Sequence, residues 1–101
     1  MIKTIAIITD RGTPGKEIKE NMQVNVFRLE NDKVSGYESI KLRSSDTGSF
    51  SKLLKIKKIS LVYIDSMGNE LKRLLQILGI HVKCKEEWEG DDFIRKFVFS
   101  I

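Results

Sequence analysis

Ile59 to Cys84, ISLVYIDSMGNELKRLLQILGIHVKC, is the stretch whose reading decides the fold. Ile59–Ile64 is a continuous apolar run, the pattern of a strand covered on both faces. Ser66, Met67, Gly68 and Asn69 follow as a turn, with Asp65 or Ser66 placed to cap the helix after it. From about Gly68 to Leu78, leucines 71, 74, 75 and 78 recur at i, i+3, i+4 and i+7, one apolar helical stripe. Gly79 stops that helix as a C-cap glycine. Ile80, Val82 and Cys84 then alternate with His81, Lys83 and Lys85, as in a strand with one face inward. Strand, helix and strand in this order form a βαβ unit, which requires parallel strands. Ligands of such sheets sit beyond the carboxyl ends of the strands, so Asp65, Ser66, Gly68 and Asn69 are the first place to look for function.

Working outward, Lys3–Thr9 is apolar on both faces, again a central strand. DRGTPGKE, with Gly12, Pro14 and Gly15 as breakers, reads as a loop. Gln23–Glu30 alternates, with a change of phase near Val26 and Phe27. Asn31 and Asp32 make a turn, and Lys33–Leu42 returns as the second arm of a hairpin. Gly36 within that arm marks a bulge or a close backbone approach. Arg43–Gly48 is polar and loop-like, and a helix starting near Ser49 carries Phe50, Leu53 and Leu54 on one face. Asp91 and Asp92 can cap a last helix with Phe93, Ile94, Phe97, Val98 and Ile101 inward. The order is β-β-β-α-β-α-β-α. It predicts one α/β domain over residues 1–101, a mixed five-stranded sheet with helices on its faces in three layers.

Composition bounds the function. The chain has 101 residues, 41% hydrophobic and 32% charged, enough for one core inside a heavily solvated surface. No segment approaches the ~18 apolar residues of a membrane span. The opening MIKTIAIITDRG breaks at Asp10 and reads as a strand, not a signal peptide. Cys84 is the single cysteine, so no internal disulfide forms, and a cytosolic home is the simplest expectation. The formal net charge is +4, but the lysines are spread along the chain. The one dense cluster, Lys52, Lys55, Lys57 and Lys58, flanks a predicted helix end, where cations complement the helix dipole. Without interleaved aromatic residues, nucleic acid is the weaker reading.

Several local features resemble the dinitrogenase iron–molybdenum cofactor biosynthesis family, of the NifX and NifB C-terminal type. The opening strand closes on an aspartate at Ile5–Asp10. A hairpin carries Phe27, Leu29, Glu30, Lys33 and Val34. The strand Ile59–Ile64, the turn Ser66–Asn69, the helix Leu71–Leu78 and the strand entry Leu78, Gly79, Ile80 and Val82 follow in the family's order. The resemblance covers nearly the whole chain and implies a ribonuclease H-like fold and a small binding or carrier protein rather than an enzyme. Where family members carry an HFGRA-like segment this chain has ENMQVN, at Glu20–Asn25. Thr47, Gly48 and Ser49 stand where a histidine often lies. The family's cluster ligands therefore have no counterpart here, and the residues name no cofactor.

The candidate sites follow from the topology. Free N–H groups at Gly68, Asn69 and Glu70 would face an anion, with Ser66 and Asp65 beside them. Asp10 and Asp65 end two strands expected side by side, where two carboxylates hold a divalent cation in metal-dependent phosphodiesterases and nucleases. The third acid such a site needs would have to come from Glu17, Glu20 or Asp46, because the first helix is basic. Arg11 and Lys16 line the mouth of the same cleft and favour an acidic ligand. Gly15-Lys16 lacks the spacing of a phosphate loop. His81 and Cys84 differ in strand parity, so they do not pair for nucleophilic catalysis. Trp88 reads as a packing anchor. The leading expectation is a binding protein for a small anionic ligand or a protein partner, with a metal-dependent phosphodiesterase as the alternative. A third reading is a ligand-free interaction module using the Ile80–Lys85 strand, monomeric or weakly dimeric by strand addition.

Overall fold

The computed structural model describes residues 2–10, 13–14, 21–31, 33–43 and 46–88. The elements are β1 (Ile2–Asp10), β2 (Thr13–Pro14), β3 (Gln23–Glu30), β4 (Lys33–Lys41), α1 (Thr47–Ile56), β5 (Leu61–Tyr63), α2 (Asn69–Ile77), β6 (His81–Lys83) and α3 (Lys85–Trp88). Five strands form a mixed sheet in the order β4-β3-β1-β5-β6, and the two-residue β2 also pairs with β1. This is an α/β three-layer, ribonuclease H-like arrangement. The predicted last helix, from Asp91 to Ile101, lies outside the described residues.

β1 sits at the centre, antiparallel to β3 and parallel to β5, and β5 is parallel to β6. Its long apolar run is required because both its faces are covered. Ala6 and Ile8 share one face with Val24, Val26, Val62, Ile64 and Val82, and Phe50, Leu54, Leu71 and Leu75 of the helices pack on them. The opposite face buries Ile5, Ile7, Phe27, Leu61 and Tyr63. The steps from β4 through α1 to β5 and from β5 through α2 to β6 join parallel strands and run the same way across the sheet. Right-handed crossovers in one direction leave α1 and α2 on the same face.

The hairpin β3–β4 turns through Asn31, which takes a positive φ of 53°. The register slips between Arg28 and Leu29: Arg28 faces Gly36 while Leu29 faces Val34, so Ser35 is the extra residue of a β-bulge. The bulge is where Gly36 marked it. β3 is buried from Val24 through Phe27, which explains the change of phase in its pattern.

α1 begins two residues earlier than its apolar face predicts, because Asp46 caps it. The carboxylate accepts from the Ser49 backbone N–H at 3.1 Å and from the Ser49 hydroxyl at 2.9 Å. Those bonds, the hydroxyl's first, hold the Asp46 carboxyl below the ordinary carboxylate range. Stability from a lowered folded-state pKa is present above the unfolded-state value and lost as pH falls through the folded one. Asp46→Asn keeps an acceptor but loses the titration. Its urea midpoint is expected to drop less between pH 6 and pH 3 than that of the parent. An equal drop in both proteins would show that this cap carries no proton linkage.

Both long helices end in the same motif. In α2, Gly79 N–H donates to Gln76 O and Ile80 N–H to Leu75 O, with Gly79 at φ +81°. In α1, Lys58 N–H donates to Lys55 O and Ile59 N–H to Leu54 O. Each is a Schellman closure, which needs a left-handed residue after the cap. Glycine meets that need in α2, whereas Lys58 adopts φ +57° at a cost of about 1 kcal/mol relative to glycine.

Candidate functional site

Asp10 is the last residue of β1 and is half-buried. By strand parity it belongs to the side of Ala6 and Ile8, the helix face. One flank of β1 is taken by β3, through Thr9 and Gln23. On the other flank β5 pairs only as far as Ile7 with Tyr63. Beyond that point β2 takes over, with Thr9 facing Pro14 and Asp10 facing Thr13. A strand edge accepts one neighbour at a time, so the chain after β5 turns toward β6 instead. Ile64 N–H donates to Lys83 O, and Lys85 N–H donates to Asp65 O. The strands that lead to Asp10 and Asp65, β1 and β5, are thus adjacent, as their apolar runs predict. The β2 segment occupies the ladder position beside Asp10 that an extended β5 would have used.

The β5–α2 turn is built differently from the sequence expectation. Neither Asp65 nor Ser66 caps α2: the N-cap is Gly68, with φ −61°, ψ 146° and no side-chain hydrogen bond. Asp65 lies too far back along the chain, and its carbonyl is tied to Lys85. A Cβ added to Gly68 would meet nothing within 4 Å, so neither packing nor backbone conformation requires glycine there. Ser66, Gly68 and Asn69 are exposed. The N-cap residue therefore offers no side-chain acceptor to the first-turn N–H groups of α2. Glu70 in that turn complements the helix dipole. Lys72 in the next turn meets Glu87 of α3 at 3.5 Å, a partly exposed pair worth about 0–1 kcal/mol.

Arg11 lies outside the described residues, as do Gly12, Gly15, Lys16, Glu17 and Glu20 of the same loop. Among the described residues no group of three His, Cys, Asp or Glu is placed to hold a metal ion. His81 is exposed and faces Leu61 across the ladder, on the side of Ile5 and Ile7, while Cys84 packs against the helix-side core. A cluster cofactor that needs converging thiolate and imidazole ligands does not fit these side chains. Asp46 is committed to capping α1, so it is not a third acid for Asp10 and Asp65.

The polar constellation that sequence reading missed lies on the second face of the sheet. Asn25 is 3% exposed. Its amide nitrogen donates to Ile7 O and to Thr9 Oγ1, both at 3.0 Å. Its carbonyl oxygen accepts from the Tyr37 hydroxyl at 3.0 Å and the Ser39 hydroxyl at 3.3 Å. The Ile7 carbonyl can only accept, so it fixes which end of the amide carries the hydrogens. All four hydrogen-bonding positions of the side chain are used, so Asn25 ties β1, β3 and β4 together and has none left for a ligand. The signal for it was an asparagine between two valines in a strand next to the central one.

No described helix is long and apolar enough to cross a membrane. No protein-family model matches the chain. No curated protein matches it. Solved structures do. The crystal structure of PH0822 superposes with a TM-score of 0.70 at 17% identity, covering 80% of this chain and 75% of that one. A "putative dinitrogenase (mj0327)" from Methanocaldococcus jannaschii superposes with a TM-score of 0.68 at 14% identity, covering 99% of this chain and 88% of that one. At these identities the likeness is one of fold, and this chain has the frame that its resemblance to the dinitrogenase cofactor proteins implied.

Proposed function

We propose that this chain is a small cytosolic binding protein, not an enzyme, that takes a small anionic ligand at the carboxyl end of its parallel strands. The observation that carries the reading is the exposed β5–α2 turn, where Gly68 gives the first N–H groups of α2 no side-chain cap. The fold shared over nearly the whole chain with the "putative dinitrogenase (mj0327)" supports a place among proteins of this frame. The exposed backbone N–H groups and the Ser66 and Asn69 side chains of the turn offer hydrogen-bond donors, which suit an anion. Ser66, Gly68 and Asn69 would meet the ligand through backbone and side-chain donors, with Asp65 at the rim. Arg11 would supply charge from the loop after Asp10.

The test pairs native mass spectrometry of anaerobically purified protein with thermal shifts in phosphate, sulfate and molybdate. An anion at 100 times its dissociation constant stabilises by about 2.7 kcal/mol, which moves the midpoint of a domain this size by about 10 °C. Gly68→Asp should abolish that shift, because its carboxylate would take the same N–H groups. Without anion the variant is expected to be more stable than the parent by about 0.5–1 kcal/mol, from the new cap and the stiffer unfolded chain. No bound species and no shift with any of the three anions would remove this reading. A shift that survives in Gly68→Asp would move the site elsewhere.

A further inference from the structure

The exposed apolar side chains are not scattered. Of the seven large hydrophobic residues that stand exposed among the described residues, Ile2, Ile56, Ile77 and Leu78 lie at one end of the molecule on the helix side of the sheet, and Val34 lies at the same end on the other side. The topology puts them there. β1, β5 and β6 are parallel, so their first residues share an end, as the bonds from Ser60 N–H to Thr4 O and from His81 N–H to Ser60 O show. α1 reaches this end at Ile56 just before β5, and α2 reaches it at Ile77 just before β6. Ile2 faces Glu30 beside the hairpin turn, and Val34 faces Leu29 one step further in. Ile56 is 68% exposed and Ile77 is 76% exposed, each on the outer side of a helix whose inner side is fully covered.

The charge at this end is mostly positive among the described residues. Lys3, Lys33, Lys55 and Lys58 are set there among the described residues, against Glu30. No described carboxylate lies within ion-pair distance of Lys55 or Lys58, whereas their neighbour Lys57 is held by Glu38 at 2.9 Å. We infer that this end, opposite the proposed ligand turn, is a docking surface for an acidic segment of another protein that carries aliphatic anchors. A second copy of this chain would set lysine against lysine. Nucleic acid would want stacking aromatic rings, and this end offers aliphatic side chains. A membrane interface favours aromatic anchors, whereas the exposed apolar side chains described at this end are aliphatic. An acidic partner answers the unpaired lysines, and its apolar residues answer Ile56 and Ile77.

The probe is a set of amphipathic peptides of about 20 residues, long enough to fold on contact, with one leucine stripe and Glu, Gln or Lys at every other position. Fluorescence anisotropy should show the Glu peptide binding about tenfold or more tighter than the Gln peptide. Its affinity should fall between about 0.01 M and 0.15 M salt as screening shortens. Ile56→Gln with Ile77→Gln should weaken it about tenfold with the thermal midpoint unchanged. Lys55→Glu should weaken it as well, which keeps the test decisive if the double variant folds poorly. Equal affinity for the Glu and Gln peptides would overturn the inference, as would binding unaffected by both sets of substitutions. Tighter binding to phosphatidylserine vesicles or to an RNA oligonucleotide, lost in the same variants, would also overturn it. So would a dimer by sedimentation that Ile56→Gln dissolves. Anion shifts at the α2 turn report on the other end, so either reading can fail alone.

Discussion

Phe50→Ala is expected to cost about 3–5 kcal/mol of stability. Phe50 is 1% exposed and is the largest side chain that α1 places in the core. It packs in one cluster with Ala6, Val24, Val62 and Leu54. Truncation removes its buried apolar area and leaves a cavity the neighbours fill only partly, because Ala6 and Val24 are held by the ladders on both sides of β1. A domain of this size has about 5–15 kcal/mol in all, so the variant would be close to unfolding. Urea denaturation measures it: the midpoint should fall steeply with little change in slope. Ile56→Ala, on the outer side of the same helix, should stay within about 0.5 kcal/mol of the parent. A Phe50 effect as small as the Ile56 effect would mean that α1 does not dock as described. A large Ile56 effect would mean that Ile56 serves the fold rather than a partner.

Asn25→Asp should be nearly as damaging and should reverse the usual response to pH. The amide nitrogen now donates to Ile7 O and Thr9 Oγ1. A carboxylate has no hydrogen to donate, so a buried negative charge would face the Ile7 carbonyl oxygen, which loses its donor, while the Thr9 hydroxyl can turn to donate instead. Each unsatisfied group costs about 1–3 kcal/mol, and more when it is charged. Tyr37 and Ser39 are exposed on β4 and would still donate to the carboxylate, which offsets only part of the loss. Burial and the facing carbonyl would raise the folded-state pKa of the new acid above its unfolded value. The penalty is then full at neutral pH and relieved as pH falls through the folded pKa, where the protonated acid regains one donor. The variant should therefore gain stability relative to the parent between about pH 7 and pH 5, read from urea midpoints. A difference that stays constant with pH would place Asn25 in contact with water. Asn25→Leu, which carries no charge, should lose about 2–4 kcal/mol at every pH.

Much of the frame was legible along the chain. Ile59–Cys84 carries a buried run, a leucine stripe and a stop glycine, and each maps onto one element because local periodicity and backbone conformation act within a few residues. Gly79 at φ +81° is such a case, as is the bulge beside Gly36. The start of α1 was hidden because Asp46 sits in a polar stretch that reads as loop until the Ser49 bonds are seen. β2 was hidden because Pro14 among glycines reads as a breaker, yet two residues suffice to fill a free edge of β1. Asn25 was hidden because its four partners come from Ile7, Thr9, Tyr37 and Ser39, none nearer than twelve residues in the chain.

The sequence by itself determined the five longer strands, the bodies of α1 and α2 and the parallel pair that α2 joins, since these follow from apolar spacing, turn residues and the crossover a parallel pair demands. Tertiary structure alone decided that α1 and α2 share one face, that β2 stands in the ladder beside Asp10, that Gly68 leaves α2 without a side-chain cap, and that Ile2, Ile56 and Ile77 lie at one end. Those outcomes depend on which strand reaches an edge first and on groups distant in the chain competing for the same hydrogen bonds.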